Sequence, residues 1–406
     1  MLVVQKFGGS SVGDAEKIKN VAQRVYETKQ NGHEVVVVVS AMGDTTDELI
    51  ALARTLTSNA AERDMDMLLS TGEQVSVALL VIALKDLGCN AVGLTGAQAG
   101  IRTDGKYGKA KIVDVDPRRL KAELARDQVV VVAGFQGITE EGEINTLGRG
   151  GSDTTAVALA VALKADLCEI YTDVDGVYTA DPRVVPDARK LDMVSYDEML
   201  ELASLGAVVL HPRAVELAKL YNMSLVVRSS FNKEPGTEIK EVGSMERAAV
   251  VSGVAYDANV AKIGLFDVYD RPGIASIIFE ALAKENINVD MIIQGATRNG
   301  KQDIAFTVSR DDLSKALKVV SAIQPEVGAK GYTHDEGLAK VSIVGAGMVS
   351  HPGVAAAMFK ALAREQVNIE MISTSEIKVS CVVALEDLHK AVKVCHEEFK
   401  LDENEK

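Results

Sequence analysis

Lys6-Phe7-Gly8-Gly9-Ser10-Ser11-Val12-Gly13 is the first stretch whose residue types can do chemistry. A short apolar run, Val3–Phe7, ends in paired glycines, and a helix is expected to begin near Asp14. Lacking Cβ atoms, the glycines let an anion reach backbone N–H groups, and a following helix N-terminus adds a favourable dipole. Lys6 would set its ammonium over the same anion. An ordinary glycine turn fits these residues as well, and no GxxxxGK(S/T) phosphate loop occurs in the chain. Gly9-Ser10-Ser11-Val12-Gly13 also fits the G-x-S-x-G nucleophile elbow of hydrolases. That reading needs an acid and then a base histidine downstream, and nothing marks His211 as a base.

A second glycine-rich loop, Asn145-Thr146-Leu147-Gly148-Arg149-Gly150-Gly151-Ser152-Asp153-Thr154-Thr155, leads into an apolar helix. Ser152, Asp153 and Thr154 are N-cap formers, and the Arg149 guanidinium can hold a carboxylate through two hydrogen bonds. The plain alternative is a capped helix beside a solvated arginine. Tyr171-Thr172-Asp173-Val174-Asp175-Gly176-Val177-Tyr178, followed by Asp181-Pro182-Arg183, places an Asp-x-Asp pair after a strand. It departs from a calcium loop because Val177 falls where an oxygen ligand belongs. A nucleotide loop fits better, with Tyr178 against the base and Arg183 near the phosphates. Ser40-Ala41-Met42-Gly43-Asp44-Thr45-Thr46-Asp47 follows a valine strand, and Ser70-Thr71-Gly72-Glu73-Gln74 is expected to open an apolar helix reaching Leu84. At such a start Glu73 is either a favourable N-terminal charge or a partner for a substrate ammonium.

The elements that must carry these loops are legible. Val35–Val39 is five consecutive valines, Val129–Ala133 is a second valine run ending in Gly134-Phe135-Gln136-Gly137, and Leu167–Thr172 is a third strand. Helical periodicity fills the gaps, as in Ile18–Gln30 and Thr154–Leu163. Strands alternating with helices imply a doubly wound, mainly parallel sheet whose ligand lies beyond the strands' carboxyl ends, where the glycine-rich turns fall. A turn-rich boundary is expected over Asn232–Gly243.

The last third holds an internal repeat. Pro272–Ile292 and Pro352–Ile372 are identical at 11 of 21 aligned positions. Each copy reads as strand, Pro-Gly turn, helix, strand, with strand-like segments Lys262–Val268 and Lys340–Val344 ahead. Ala275, Phe279 and Leu282 are expected to share one helical face. A repeat of this kind either binds a ligand or serves packing alone.

The bulk numbers narrow the classes. With 406 residues, 47% hydrophobic content and a net charge of -14, the chain has two or three domains' worth of core. Nucleic acid and anionic membranes are poor partners for so acidic a chain. Cys89, Cys168, Cys381 and Cys395 are scattered, as expected of reduced thiols in a cytoplasmic protein. No secretory leader is expected at Met1–Val4, no fused dehydrogenase domain after residue 406, and Val75–Leu84 reads as a buried helix too short to span a bilayer.

Together these segments resemble the aspartate kinases of the amino-acid-kinase fold: KFGGSSV from Lys6, SAMGDTTDEL from Ser40, STGE from Ser70, GFQG from Gly134, GRGGSDTTA around Arg149, TDVDGVYTADPR from Thr172, and the His211-Pro212 stretch. The repeats resemble the paired ACT domains that follow that kinase domain. The resemblance implies an α/β amino-acid-kinase domain at 1–245, then two α+β ferredoxin-like ACT repeats at 246–335 and 336–406. It departs at Gly206-Ala207-Val208-Val209-Leu210-His211-Pro212, where some members have GAKVLHP; Lys6 and Arg183 would then carry more of the positive charge.

The resemblance further implies phosphorylation of the L-aspartate side chain to 4-phospho-L-aspartate, with ATP and Mg²⁺, as the first step of aspartate-family biosynthesis. Lys6, Phe7, Gly8, Gly9 and Ser40 would bind ATP around its phosphates, and Thr172, Asp173, Tyr178, Asp181 and Arg183 would hold the rest. Glu73 and Arg149 would grip the amino and carboxylate groups of aspartate, beside Thr46, Gly150, Gly151 and Ser152. Lys6 and Asp153 would be catalytic, Asp153 organising the metal or the reacting phosphates, with no metal site formed by protein alone. Lysine, threonine or both would bind Asp270, Gly273, Ile274, Ala275 and Gln294 of the first repeat and Asn368, Ile369, Ser375 and Glu376 of the second. A homo-oligomer through the ACT repeats is implied, and an internal start at Met245 would give a separate regulatory subunit. Another small-carboxylate or carbamate kinase, and a binding protein with a relic kinase domain, are the alternatives.

Overall fold

The computed structural model of the chain describes residues 1–205, 209–241 and 250–403. It divides into two compact units. The first comprises residues 1–177, 190–204 and 209–241; the second comprises 178–189, Leu205 and 250–403.

In the first unit the chain runs β1 (Leu2–Phe7), α1 (Ala15–Gln30), β2 (Glu34–Val39), α2 (Thr45–Leu56), α3 (Glu62–Asp86), β3 (Ala91–Leu94), β4 (Ile101–Thr103), β5 (Ile112–Val115), α4 (Arg118–Leu124), β6 (Val129–Ala133), β7 (Gln136–Ile138), β8 (Ile144–Thr146), α5 (Gly151–Leu163), β9 (Leu167–Thr172), β10 (Met193–Val194), α6 (Tyr196–Ser204), α7 (Pro212–Tyr221), β11 (Leu225–Ser229) and β12 (Thr237–Ile239). Eight strands form one sheet in the order β10-β12-β11-β9-β1-β2-β6-β3. Neighbours are parallel except β11 with β12. The valine runs of β2 and β6 lie side by side between β1 and edge strand β3, fully buried, as strands covered on both faces must be. Strand order turns outward in both directions from β1 and β9, so the crevice beyond their carboxyl ends is the place for a ligand.

Four departures from the sequence reading have physical causes. First, a second sheet, β5-β4-β7-β8, stands apart from the main one; its strands are three or four residues long, too short for a periodic signal. Second, Ser70–Glu73 does not open a helix. It lies in the middle of α3, whose first turn carries Glu62 and Asp64, because nothing between Glu62 and Leu69 breaks a helix. Val75, Leu79 and Ile82 are exposed, so α3 is not the fully buried helix expected; among the described residues it is one helix long and apolar enough to cross a membrane. Third, α5 begins before Ser152. Its N-cap is Gly150, and Ser152, Asp153 and Thr154 lie inside the first turn. Fourth, the turn-rich Asn232–Gly243 stretch includes a short strand, Thr237–Ile239, which is β12, added antiparallel to β11; the described residues of the first unit end within this stretch, at 241, in keeping with a boundary there. Residues 242 and 243 fall outside the described residues.

The second unit runs β13 (Gly253–Tyr269), α8 (Ile274–Lys284), β14 (Ile292–Gln294), β15 (Lys301–Ser309), α9 (Leu313–Val327), β16 (Gly331–Val344), α10 (Val354–Arg364), β17 (Met371–Thr374), β18 (Lys378–Ala384) and α11 (Leu388–Glu398). Each repeat therefore adds a further strand and helix to the expected unit. The strands form one six-stranded sheet, β14-β15-β13-β16-β18-β17. β13 and β16 are long enough to serve both repeats: Val260–Tyr269 pairs with β15, and Gly253–Asp257 pairs with Lys340–Val344 of β16. Two apolar cores result. Ile263, Ile278, Leu282, Phe306 and Val320 belong to one; Val341, Met358, Leu362, Cys381 and Val392 belong to the other, together with Ala180, Val184 and Val185 of segment 178–189. On α8 the buried face is Ile274–Ile278–Leu282, one residue round from the expected one; Ala275 is exposed and Phe279 packs edge-on to Phe306. All four cysteines are buried and free.

Candidate active site and effector face

The β1 turn and the loop after β2 close on each other. Gly8 N–H donates to the Tyr171 carbonyl at 3.2 Å, Ser40 N–H to Phe7 at 3.1 Å, and Gly43 N–H to Gly9 at 3.1 Å. A Cβ on Gly9 would stand 3.0 Å from the Ala41 carbonyl oxygen, so a larger residue would have to push the two loops apart. Phe7 stacks on Tyr171 with ring centroids 4.6 Å apart, fixing β1 to β9. Lys6 and Gly8, Gly9 and Ser40 are thus brought to one place at the strand ends. The Lys6 ammonium folds back to within 3.4 Å of the point where a Gly8 Cβ would be. It pairs with Asp153 Oδ1 at 2.7 Å, both side chains being about nine-tenths buried. Ser11 is buried and bonded to Ser230 Oγ at 2.5 Å, so it is not an exposed hydrolase nucleophile.

Glu73 reaches this place from the middle of α3. Gly72 beside it permits the contact, since a Cβ there would lie 2.8 Å from the Ala41 Cβ. Glu73 Oε1 accepts the Ala41 N–H at 3.2 Å. Its other oxygen, Oε2, is buried with no hydrogen-bond partner. Burial pushes the carboxyl up to about 7, opposed only by backbone N–H bonds at Glu73 and Ala41. A buried carboxylate with one oxygen unsatisfied is a seat for a cation. Thr46 lies in the first turn of α2, half-buried.

The Arg149 loop docks on neighbouring backbone. A Cβ on Gly151 would meet Phe135 and Leu147, and one on Gly134 would meet Ser152 Oγ at 2.7 Å. Asp153 Oδ2 accepts the His211 N–H at 3.3 Å, which orients the carboxylate toward Lys6. Burial, its largest influence, holds the His211 ring below the ordinary imidazole range. Arg149 itself is exposed and makes no hydrogen bond or ion pair among the described residues. Gly150 adopts φ 68°, and a Cβ there would sit 2.0 Å from His211 Cγ. Gly150→Ala is therefore expected to cost about 2–4 kcal/mol of stability from left-handed strain plus the clash. Thermal denaturation checks this, and an unshifted Tm would show that the loop has another conformation available.

Thr172 and Asp173 stand at the end of β9, with Thr172 Oγ1 donating to Asp173 at 3.1 Å. Tyr178, Asp181 and Arg183 fall in the second unit. There the Arg183 guanidinium forks onto Asp181, with Nε to Oδ1 at 3.0 Å and Nη2 to Oδ2 at 2.8 Å, and Tyr256 also donates to Asp181. A separate cavity of about 560 Å³ is lined by Arg102, Asp116, Arg118 and Arg119. None of the sequence-derived site residues lines it, and Arg118 and Arg119 are already paired with Asp116 and Glu123.

Residues 1–229 match the model of the amino acid kinase family, and residues 267–323 and 341–399 match that of the ACT domain. The aspartokinase of Bacillus sp. (strain MGA3) is 53% identical over 98% of this chain and 97% of its own length. This chain belongs to the aspartokinases. Aspartokinases are phosphotransferases with a carboxyl acceptor, and the two-unit architecture agrees. Escherichia coli aspartokinase III in complex with aspartate and ADP (R-state) has a TM-score of 0.82 at 26% identity, covering 98% of this chain and 99% of that one. The same enzyme in complex with lysine and aspartate (T-state) has a TM-score of 0.76 at 27% identity over the same shares.

In this aspartokinase the effector residues expected from sequence fall into two groups. Asp270, Gly273, Ile274, Ala275 and Gln294 lie at the α8 N-terminus and on edge strand β14; Asn368, Ile369, Ser375 and Glu376 flank β17 at the other edge of the sheet. Ile274 is buried in the repeat core, whereas Asp270, Ala275, Gln294, Asn368 and Glu376 are exposed. Asp270 accepts Thr297 Oγ1 at 2.7 Å, and Asn368 donates to Glu370 at 3.0 Å. Reciprocal ion pairs lace the repeats: Lys262 of the first to Glu370 of the second at 2.8 Å, and Lys340 of the second to Asp290 of the first. Met245 and Gly206–Val208 lie outside the described residues.

Two residues that hold the backbone just before Arg149, Asp66 and Arg213, escaped the sequence reading. Asp66, Ser70 and Glu73 form a buried polar stripe at i, i+4 and i+7 on α3, a signal the sequence does carry. Arg213 had none beyond its place after His211-Pro212.

Proposed function

We propose that this chain transfers the γ-phosphoryl group of ATP to the side-chain carboxylate of L-aspartate in the cytoplasm, giving 4-phospho-L-aspartate and ADP, and that lysine, threonine or both inhibit it through the ACT repeats. The observation that carries the substrate is the buried Glu73 carboxylate with an unpartnered oxygen. It suits the α-ammonium of an amino acid, while exposed Arg149 suits its carboxylate. The side-chain carboxylate of aspartate, with a pKa of about 3.9, is already ionised at neutral pH, so no general base is required. Its oxygen attacks the γ-phosphorus as the bond to the ADP oxygen breaks. Catalysis then reduces to alignment and charge neutralisation.

Lys6 and the backbone N–H groups after β1 supply part of that neutralisation, and Asp153 holds the Lys6 ammonium in place. Mg²⁺ bound with ATP would add charge neutralisation at the phosphates, and Asp153, already paired with Lys6, would be the carboxylate that organises it. We further propose domain boundaries at 245/246 and 335/336 and assembly of copies through the ACT repeats, where β14 and β17 present open edges. A separate subunit started at Met245 is compatible with that assembly.

An ATP-dependent hydroxamate trap with aspartate tests the reaction. Aspartyl hydroxamate is the expected product; product from a different acid instead would overturn the substrate, and none from any acid would leave a binding-only protein. For regulation, Gln294→Ala is expected to raise the inhibition constant of lysine or threonine about tenfold with uninhibited kcat unchanged. Dose–response curves that superimpose on wild type would remove Gln294 from the effector site.

A further inference from the structure

Two stretches of backbone run side by side immediately before Arg149. Ala110 N–H donates to the Thr146 carbonyl at 2.9 Å, and a Cβ on Gly148 would lie 3.0 Å from the Gly108 carbonyl oxygen. Opposite charges grip this pair from two helices. Asp66 of α3, 1% exposed, accepts the N–H groups of Gly108 and Thr146, both at 2.9 Å, and Thr146 Oγ1 at 2.6 Å. Arg213 of α7 donates to the carbonyls of Leu147 at 2.6 Å and Ala110 at 2.9 Å. The carboxylate takes only N–H and O–H donors and the guanidinium takes only carbonyls, so neither can replace the other. The same α7 turn packs the His211 ring where a Gly150 Cβ would stand and gives its N–H to Asp153.

We infer that Asp66 and Arg213 are positioning residues for substrate recognition, bracing the backbone whose next turn presents Arg149. The inference rests on the reading that Arg149 binds the α-carboxylate of aspartate. Arg149 has glycines at 148, 150 and 151, and its own side chain has no hydrogen-bond or ion-pair partner among the described residues. Its location is therefore set by backbone, and glycine-rich backbone holds a place only when tied elsewhere. The brace ties the residue two positions upstream, Leu147, and the residue before it. Asp66 also stands two turns before Glu73 on one face of α3, so a single helix sets the ammonium seat and one side of the carboxylate seat. A loss of registry of about 1 Å between such groups is enough for large kinetic effects.

The test is steady-state kinetics of the full chain with aspartate and ATP varied separately. Arg213→Met is expected to raise the aspartate KM about tenfold or more while the ATP KM stays within about twofold. Arg213→Lys, whose ammonium can reach one carbonyl, is expected to fall between. Should Arg213→Met fail to fold, Asp66→Asn reads the other side of the brace with the same expected split. An unchanged aspartate KM in a folded variant, or both KM values rising together, overturns the inference. Arg149→Ala runs alongside. If it raises the aspartate KM and the brace variants do not, the inference falls and the reading of Arg149 stands; if it leaves the aspartate KM unchanged, that reading falls and takes the inference with it.

Discussion

Replacing Lys6 with methionine is expected to lower kcat about 10²- to 10³-fold with little change in the aspartate KM. The ammonium is anchored 2.7 Å from Asp153 and folded over the Gly8 turn, where the proposed reaction would set it against charge developing on the transferring phosphoryl group. Removing it also leaves a largely buried carboxylate without its cation, which costs about 3–5 kcal/mol in comparable pairs. Stability and turnover can be separated. Adding Asp153→Asn to Lys6→Met removes the orphaned charge, so Tm should recover while kcat stays low. Single-turnover measurement beside thermal denaturation makes the comparison. A single variant with near wild-type kcat would take Lys6 out of the chemistry, whatever its Tm.

Glu73 carries the second large effect. Glu73→Gln is expected to raise the aspartate KM about 10- to 100-fold, the loss expected for a charge-assisted hydrogen bond to the substrate ammonium. The pH dependence has a definite sign. Burial raises this carboxyl to about 7, so below that pH the free enzyme holds it protonated and must release a proton to bind an ammonium. The aspartate kcat/KM should fall about tenfold per pH unit below about 7, and proton release on binding should be measurable in weakly buffered solution. The stability linkage runs in the same window. The folded state binds more protons than the unfolded chain between about 4.5 and 7, so the cost of burying Glu73 develops as pH rises through that range and reaches roughly 3 kcal/mol above it. Glu73→Gln should accordingly be more stable than wild type at pH 8, an advantage that disappears near pH 4. A wild-type pH profile in the glutamine variant would show that another group titrates.

Lys262–Glu370 and Lys340–Asp290 tie each repeat to the other.

What the sequence determined by itself was the inventory and its order. Runs such as Val35–Val39 declare buried parallel strands because only a strand covered on both faces tolerates uninterrupted valine. Glycines 8 and 9 after a strand, and 148, 150 and 151 around Arg149, declare backbone that must approach something closely. The duplication declares itself through identical residues. These are local signals, written in consecutive positions. The tertiary structure alone decided the rest, because it depends on partners far apart in the chain. Glu73 became a buried, half-satisfied carboxylate only because Gly72 lets α3 press against Ala41. Asp66 and Arg213 became a brace only because α3 and α7 meet the same two backbone stretches, residues 108–110 and 146–147. The short strands of the second sheet, and the sharing of β13 and β16 by both repeats, follow from hydrogen bonds offered by neighbours, which no periodicity in the strands themselves encodes.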